Sequence, residues 1–451
     1  MSDFPDRTGP RLEADPAWVG NLYERLAEDD EGRVCEAISD EACRVVPGNF
    51  LRTLVANTLT SIGDRIASAK TTLPWLLGHL GAPIWCLSLL VPIRESGSML
   101  PQMVIGAAVR RRAVRKWVWV SGSLLQGASL AAIGFVALTL EGLAAGVAVL
   151  LLLTLFSLAR GACSVSYKDV LGKTIPKTRR GRLSGWIGAV AGLGAMATGA
   201  GFGLLPAEVP AWVYSALLFG AAGLWVLAAL AYARIIEYPG ATEGGANGFR
   251  EGLGKLALLR DDDPFRRFVI GRALAMGSGL AAPFYVALAR DDLGSAAALL
   301  GIFIAVEGLA GLVSAPVWGR WADRSSRMVF GVACALAGVL SCGVAVWSWL
   351  DLPAEAARWF YPLAFFGLGI AHAGVRLGRK TYLVDMAEGN QRTDYVAVSN
   401  TVIGALLLGS GLVGAAAAAF SVEAAIVILG LSGLVGAGLS LRWKEVGGSK
   451  A

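Results

Sequence analysis

Apolar blocks of roughly 20 residues recur along this chain, separated by short polar connections, and each is long enough to cross about 30 Å of hydrocarbon as an α-helix. That spacing decides the solvent, which is lipid. Composition agrees: 55% of the residues are hydrophobic and 16% are charged, against about 25% charged in soluble domains. A soluble enzyme, a disordered chain and a collagen-like fibre are excluded.

The periodicity predicts twelve helices, at about 50–76, 80–109, 117–140, 143–168, 182–205, 209–234, 264–290, 293–319, 328–350, 356–385, 394–418 and 421–441. Arg110, Arg111, Arg112, Arg115 and Lys116 follow helix 2, and Lys173, Lys177, Arg179, Arg180 and Arg182 follow helix 4. Arg320, Arg324 and Arg327 follow helix 8, Arg442 and Lys444 follow helix 12, and the opposite connections hold little more than Arg290 and Arg358. Positive residues mark cytoplasmic loops, so both termini are expected in the cytoplasm.

The first 47 residues hold twelve acids and five arginines, leaving the basic excess to the membrane part. An acidic start with no apolar core is not a signal peptide. Within it Trp18, Leu22 and Leu26 recur at helical spacing, as in a short amphipathic helix lying on the protein or the bilayer surface. The expected organisation is an acidic segment over 1–49, six helices over 50–235, a cytoplasmic linker over 236–263, six more helices over 264–443, and a tail over 444–451.

Six scattered cysteines form no C-x-x-C pair, and no histidine stands at metal-ligand spacing, so neither a disulfide scaffold nor a zinc site is expected. The sequence has no phosphate-binding G-x-x-x-x-G-K-[ST] loop and no H-E-x-x-H or G-x-S-x-G constellation. An ATP-driven pump and a membrane enzyme therefore find no support, and no cofactor is expected.

The two halves repeat at a constant offset of 212 residues: Glu95 falls on Glu307, Lys168 on Lys380, Arg180 on Arg392, Gly192 on Gly404 and Gly199 on Gly411. Two parallel six-helix repeats suit a carrier that rocks its halves about a central site.

After helix 8 comes Gly319-Arg320-Trp321-Ala322-Asp323-Arg324-Ser325-Ser326-Arg327. This G-x-x-x-D-R-x-x-R loop resembles the signature of the major facilitator superfamily. The resemblance implies an all-α fold of twelve transmembrane helices in two pseudo-symmetric six-helix bundles. It also implies gating roles: Gly319 for close helix approach, and Asp323, Arg324 and Arg327 for a cytoplasmic charge network that locks the outward-facing state. The first half departs from the pattern. Gly106 leads into Arg110-Arg111-Arg112, with Arg110 where the signature has its acid. The lock on that side is weak, or takes its carboxylate from elsewhere.

An ionised side chain at the bilayer centre costs at least about 2.5–3.5 kcal/mol, so such residues face a cavity or a partner. Helices 3, 6 and 9 have no charge in their interiors, whereas helices 1, 2, 4, 7, 8 and 10 carry Asp64, Arg65, Lys70, Arg94, Glu95, Arg160, Lys168, Arg272, Glu307, Arg376, Arg379 and Lys380. The first set suits lipid-facing supports and the second a cavity lining. At about 1.5 Å per residue, Asp64, Arg94, Glu95 and Glu307 lie near mid-membrane. Asn57, Ser61, Asp64 and Ser68 form one polar stripe on helix 1. Lys168, Arg376, Arg379 and Lys380 lie within two turns of the cytoplasmic end and read as anchors that snorkel there or as bridges between the halves. His372, inside helix 10, is either a titrating group or a satisfied packing histidine.

Protonating a carboxylate beside an arginine frees the cation for an anion. Asp64, Glu95 and Glu307 are the candidate proton carriers. Arg94 and Lys70 are the candidate anion contacts, with Arg160, Arg272 and His372 in the same interior; the alternative is that Asp64–Arg94 or Glu95–Arg94 is a fixed ion pair. The expected function is secondary active transport of a small anionic or zwitterionic solute, proton-coupled, by a monomer in a bacterial cytoplasmic membrane. The solute, protons and lipid are its expected partners, with no nucleic acid. The alternatives are a drug or amphipath efflux antiporter and a facilitator-like scaffold that moves nothing.

Overall fold

The computed structural model describes residues 16–27, 43–100, 102–206, 209–240, 242, 254–322, 324–350, 353–386 and 391–446. The regular elements among them are all helical. The first half contains α1 (Ala17–Ala27), α2 (Val46–Ile66), α3 (Thr72–His79), α4 (Trp85–Met99), α5 (Gln102–Arg110), α6 (Lys116–Thr139), α7 (Gly142–Thr174), α8 (Lys177–Phe202) and α9 (Ala211–Ala233). The second contains α10 (Leu258–Asp261), α11 (Asp263–Leu274), α12 (Gly277–Leu280), α13 (Ala282–Leu293), α14 (Ala297–Ala322), α15 (Ser326–Trp349), α16 (Ala354–Met386), α17 (Gln391–Ala418) and α18 (Val422–Ser440).

Ten of the described helical stretches are long and apolar enough to cross a bilayer: α6, α7, α8, α9, the run α11–α13, and α14 to α18. Two earlier stretches, α2–α3 and α4–α5, precede them in the places of helices 1 and 2. The multi-pass architecture stands. The unbroken helices expected over 50–76 and 264–290 do not: the first turns out of register over residues 67–71, and the second at 275–276 and again at Ala281. Proline lacks a donor, and its ring collides with the carbonyl four residues back. Pro74 acts on Lys70 in this way and Pro283 on Gly279.

The repeat holds at the level of contacts. Helices α7 and α16 each have 33 residues and start at Gly142 and Ala354, the same 212-residue offset. A Cβ added to Gly192 would lie 2.8 Å from Leu312 Cγ, and one added to Gly404 would lie 2.9 Å from Leu100 Cγ. These two contacts exchange when the halves are exchanged. Gly199 backs onto Gly301, and its counterpart Gly411 onto Leu89 and Pro92. Two pseudo-symmetric bundles thus meet along two seams, α8 with α14 and α4 with α17. Small residues let the helices of such seams approach closely.

The seams are tight toward one end only. There α3 also packs on α13, with Arg290 over the Trp75 ring at 5.8 Å and against Gly78. At the arginine-rich end, Cβ atoms added to Gly181, Gly185 and Gly188 of α8, or to Gly319 of α14, would meet nothing within 4 Å. The halves therefore touch at one face of the membrane and part toward the other. Outward-facing apolar side chains such as Phe135, Leu227, Val339 and Val435 are 54–61% exposed, which suits a lipid boundary.

Helix α1 lies on the protein, across α2 and α8: Tyr23 packs on Phe50 with ring centroids 5.3 Å apart, and Trp186 Nε1 donates to the Leu26 carbonyl at 3.2 Å. Cys43 is disulfide-bonded, and Cys86, Cys163, Cys334 and Cys342 are free.

Two acids staple the loops of each half. Beyond α9, Glu237 accepts from the Arg115 and Lys116 amides, the latter at 2.6 Å, and from Lys173 Nζ at 2.9 Å. Beyond α18, Glu445 accepts from Ser325 Oγ at 2.9 Å and Arg327 Nε at 3.0 Å. Each of these acids lies just past the last helix of its own half.

Candidate functional site

Between the bundles lies a cavity of about 350 Å³. It is lined from α2, the 67–71 turn, α4, α7, the α12–α13 run, α14 and α16, with nothing from α6, α9, α15 or α18. The division read from the distribution of charges is the division of the walls. Seven of the eight expected site residues line it: Asp64, Lys70, Arg94, Glu95, Arg160, Glu307 and His372. Beside His372, its charged lining is five cations, Arg65, Lys70, Arg94, Arg160 and Arg376, against three acids, Asp64, Glu95 and Glu307.

The three acids have different surroundings. Asp64 is held by two guanidiniums, Arg94 Nη2 at 2.6 Å and Arg160 Nη1, and Arg94 also stacks 4.6 Å from the Phe156 ring centroid. This is the Asp64–Arg94 ion pair, extended to a third member on α7. Glu307 accepts hydrogen bonds from Ser68 Oγ at 3.1 Å and Thr71 Oγ1 at 3.4 Å, both from the break between α2 and α3. That links the two halves through a carboxylate and two hydroxyls. The Glu95 carboxylate faces the cavity with no hydrogen bond among the described residues; the charges acting on it are those of Arg376, Arg94, Lys70 and Arg160.

His372 meets Ser278 Oγ through Nδ1 at 3.3 Å. Arg272 lies outside the central cavity, in a smaller chamber of about 50 Å³ beside it, with Arg376, Arg379, Glu95 and His372. A third chamber of about 190 Å³ opens inside the first bundle, lined by Asn57, Thr60, Ser61, Asp64, Ser123, Gln126, Arg160, Ser164, Tyr167 and two tryptophans.

Arg376 and Arg379 were expected to snorkel toward the cytoplasmic end. Instead they line interior chambers. Arg376 stands ten residues before the end of α16 at Met386, about 15 Å along the axis, beyond the reach of an anchoring side chain. Ser68 continues the polar stripe of α2 and was legible in the spacing. Thr71 was not, because it joins the site through the proline-induced turn.

Of the residues tied to gating by resemblance, Asp323 lies outside the described residues. Gly319 is in open space. Arg327 is engaged with Glu445 and with the carbonyls of Leu441 and Trp443, at 3.2 and 3.0 Å. Arg324 follows α14 in the turn before α15.

Residues 267–451 match the family profile of the Major Facilitator Superfamily. Over 417 residues the chain is 24% identical to the uncharacterized proteins Rv2209 of Mycobacterium tuberculosis and Mb2232 of Mycobacterium bovis, covering 88% of this chain and 77% of theirs. A D-xylose-proton symporter superposes with a TM-score of 0.68 at 12% identity, over 90% of this chain and 99% of its own. The xylose transporter XylE of E. coli gives 0.65 at 11% identity, over 89% and 98%. The nucleoside transporter NupG gives 0.62 at 14% identity, over 88% and 100%. The C-terminal part of this multi-pass integral membrane protein thus matches the profile of the major facilitator superfamily, and the whole chain shares the fold of these solved transporters.

Proposed function

We propose that the chain is a secondary active transporter that carries a small anionic or zwitterionic solute by alternating access, coupled to protons. The observation that carries this reading is the central cavity, which lies between the bundles, is shut off at one end by Trp75, Gly78 and Arg290, and has more cationic than acidic side chains in its walls. Buried charge of this kind is costly in a membrane and marks a solute or ion path. The bundles over 50–235 and 264–443 rock about it, with both termini and the arginine-rich loops in the cytoplasm of a bacterial cell, and the monomer is the working unit.

Glu307 is the coupling carboxylate in this scheme. Ionised, it accepts charge-assisted hydrogen bonds from Ser68 and Thr71, which tie α14 to the broken span of the opposite bundle. A proton on Glu307 removes that charge assistance and lets the two sides part. Asp64 keeps Arg94 and Arg160 in place as the cationic wall.

The test begins with a thermal-shift screen of anions, amino acids, metabolites and amphipathic drugs on the purified protein, since a ligand of the folded form raises its melting temperature. Hits are then followed as flux into proteoliposomes with and without a pH gradient. Uptake driven by the gradient supports the reading. A protein that moves none of its ligands is a scaffold, and one that moves only cationic amphipaths is an efflux antiporter; either result overturns it.

A further inference from the structure

The small chamber beside the main cavity has a counterpart in the other bundle, and the two differ in kind. At the 212-residue offset, Thr60 corresponds to Arg272, Ser164 to Arg376 and Tyr167 to Arg379. The first three line the polar chamber of the first bundle, and the second three line the small chamber of the second. Where one bundle has three neutral hydroxyls, the other has three guanidiniums.

Those guanidiniums outnumber their acids three to one, with Glu95 alone in the field of Arg376 and Arg379. Arg272 is 5% exposed and is held by neutral partners, Ser399 Oγ at 2.5 Å and Asn400 Oδ1 at 2.9 Å. Its Nε is buried without a hydrogen-bond partner. Neither Arg376 nor Arg379 makes an ion pair or hydrogen bond through its side chain with any described residue. Glu95 is the one carboxylate in the lining and bonds none of the three. Arg272 is the buried member, Arg379 is half-buried and Arg376 is open to the central cavity; a buried cation without a bonded counter-charge is strongly unfavourable, and arginine's planar fork is matched to oxyanions. The chamber's volume of about 50 Å³ suits a group displacing about three or four waters. It joins the central cavity through shared walls at Val91, Glu95, Ser278, His372 and Arg376, so an occupant has a way in.

We infer that this chamber binds a small oxyanion, phosphate-like or carboxylate, held by Arg272, Arg376 and Arg379. The site stands on its own geometry. It also deepens the transport reading, on which the second source below rests: the oxyanion is either a free inorganic ion or the charged group of the carried solute, whose body then occupies the central cavity.

The experiment titrates the purified full-length protein with inorganic phosphate, sulfate and acetate at constant ionic strength, with gluconate as a bulky control, following melting temperature and heat of binding. A small oxyanion should give a saturable upward shift that gluconate does not. Arg272→Gln and Arg379→Gln should each weaken binding about ten-fold or more, the equivalent of one lost charged contact, while Arg358→Gln, remote from the chamber, should leave it unchanged. Two variants are used so that one misfolded protein does not decide the matter. Competition between phosphate and a solute found by flux assigns the site to the solute's own charged group, and simultaneous binding assigns it to a free ion. The absence of any anion-specific shift, or equal binding by wild type and both chamber variants, overturns the inference. Because binding is read at equilibrium, a protein that binds oxyanion yet moves no solute loses only the transport reading, and one that transports without binding oxyanion loses only this site.

Discussion

Glu95 and Glu307 stand at equivalent positions of the repeat, yet only Glu307 reaches across the interface to hydroxyl groups of the other bundle. The difference lies in what faces each: the Ser68 and Thr71 hydroxyls for Glu307, and Arg376 for Glu95, with Lys70 in the field of both. Glu307→Gln is expected to flatten the pH dependence of uptake while leaving solute binding in place; unchanged pH dependence would remove Glu307 from the coupling role. Asp64 has the opposite character, because its two arginines depend on it. Asp64→Asn leaves both uncompensated and should lower the melting temperature. With the side chains of Arg94, Asp64 and Arg160 still 12%, 22% and 39% exposed to the cavity, the loss should fall below the about 3–5 kcal/mol of a fully buried pair. These residues were legible in the sequence because a charge in the middle of an apolar block has few places to go. The bonds among them were not, since Thr71 enters through a turn and Arg160 through a helix crossing that no spacing reports.

At the scale of the element, the two seams are the hinge of the proposed rocking, and they are not equal. The α8–α14 crossing brings Gly199 against the Gly301 backbone, whereas the α4–α17 crossing puts Gly411 against the side chains of Leu89 and Pro92. A side chain at 199 has no room without moving a helix; one at 411 meets atoms that can give way. Gly199→Leu should therefore part the closed end, at a cost of about 1–3 kcal/mol typical of overpacking, with a smaller effect from Gly411→Leu. Accessibility of single cysteines in the cavity to an impermeant reagent from the closed side measures both, and equal protection in wild type and Gly199→Leu would refute the hinge assignment. The glycines were readable as matched pairs at one offset, and so were the helices they join. The breaks at 67–71 and 275–281 were obscured because their small and polar residues also suit a cavity-lining helix, although Pro74 and Pro283 mark each within a few residues.

For the whole molecule, the repeat also sets like charges face to face. Lys168 and Lys380 are counterparts in the repeat, and each lies in the other's field near the arginine-rich end. Closing that end brings two ammonium groups nearer, so their repulsion favours the conformation in which the bundles part there. Lys380→Glu should replace repulsion by attraction, shut that mouth and reduce uptake, and Lys168→Glu added to it should restore the open form. If the double variant is as inactive as the single, charge at the mouth does not set the equilibrium.

The order of helices has a consequence for how the chain is made. The stretches 46–79 and 85–110 carry Asp64, Arg65, Lys70, Arg94 and Glu95, and among the described residues neither provides a single helix that is both long and apolar enough to cross. Synthesis therefore presents this charged hairpin to the membrane before α6 and α7. That hairpin is retained only when α6 and α7, with Arg160, arrive to complete the contacts of Asp64. A nascent chain halted after residue 110 should stay extractable by alkali, while one halted after residue 174 should not.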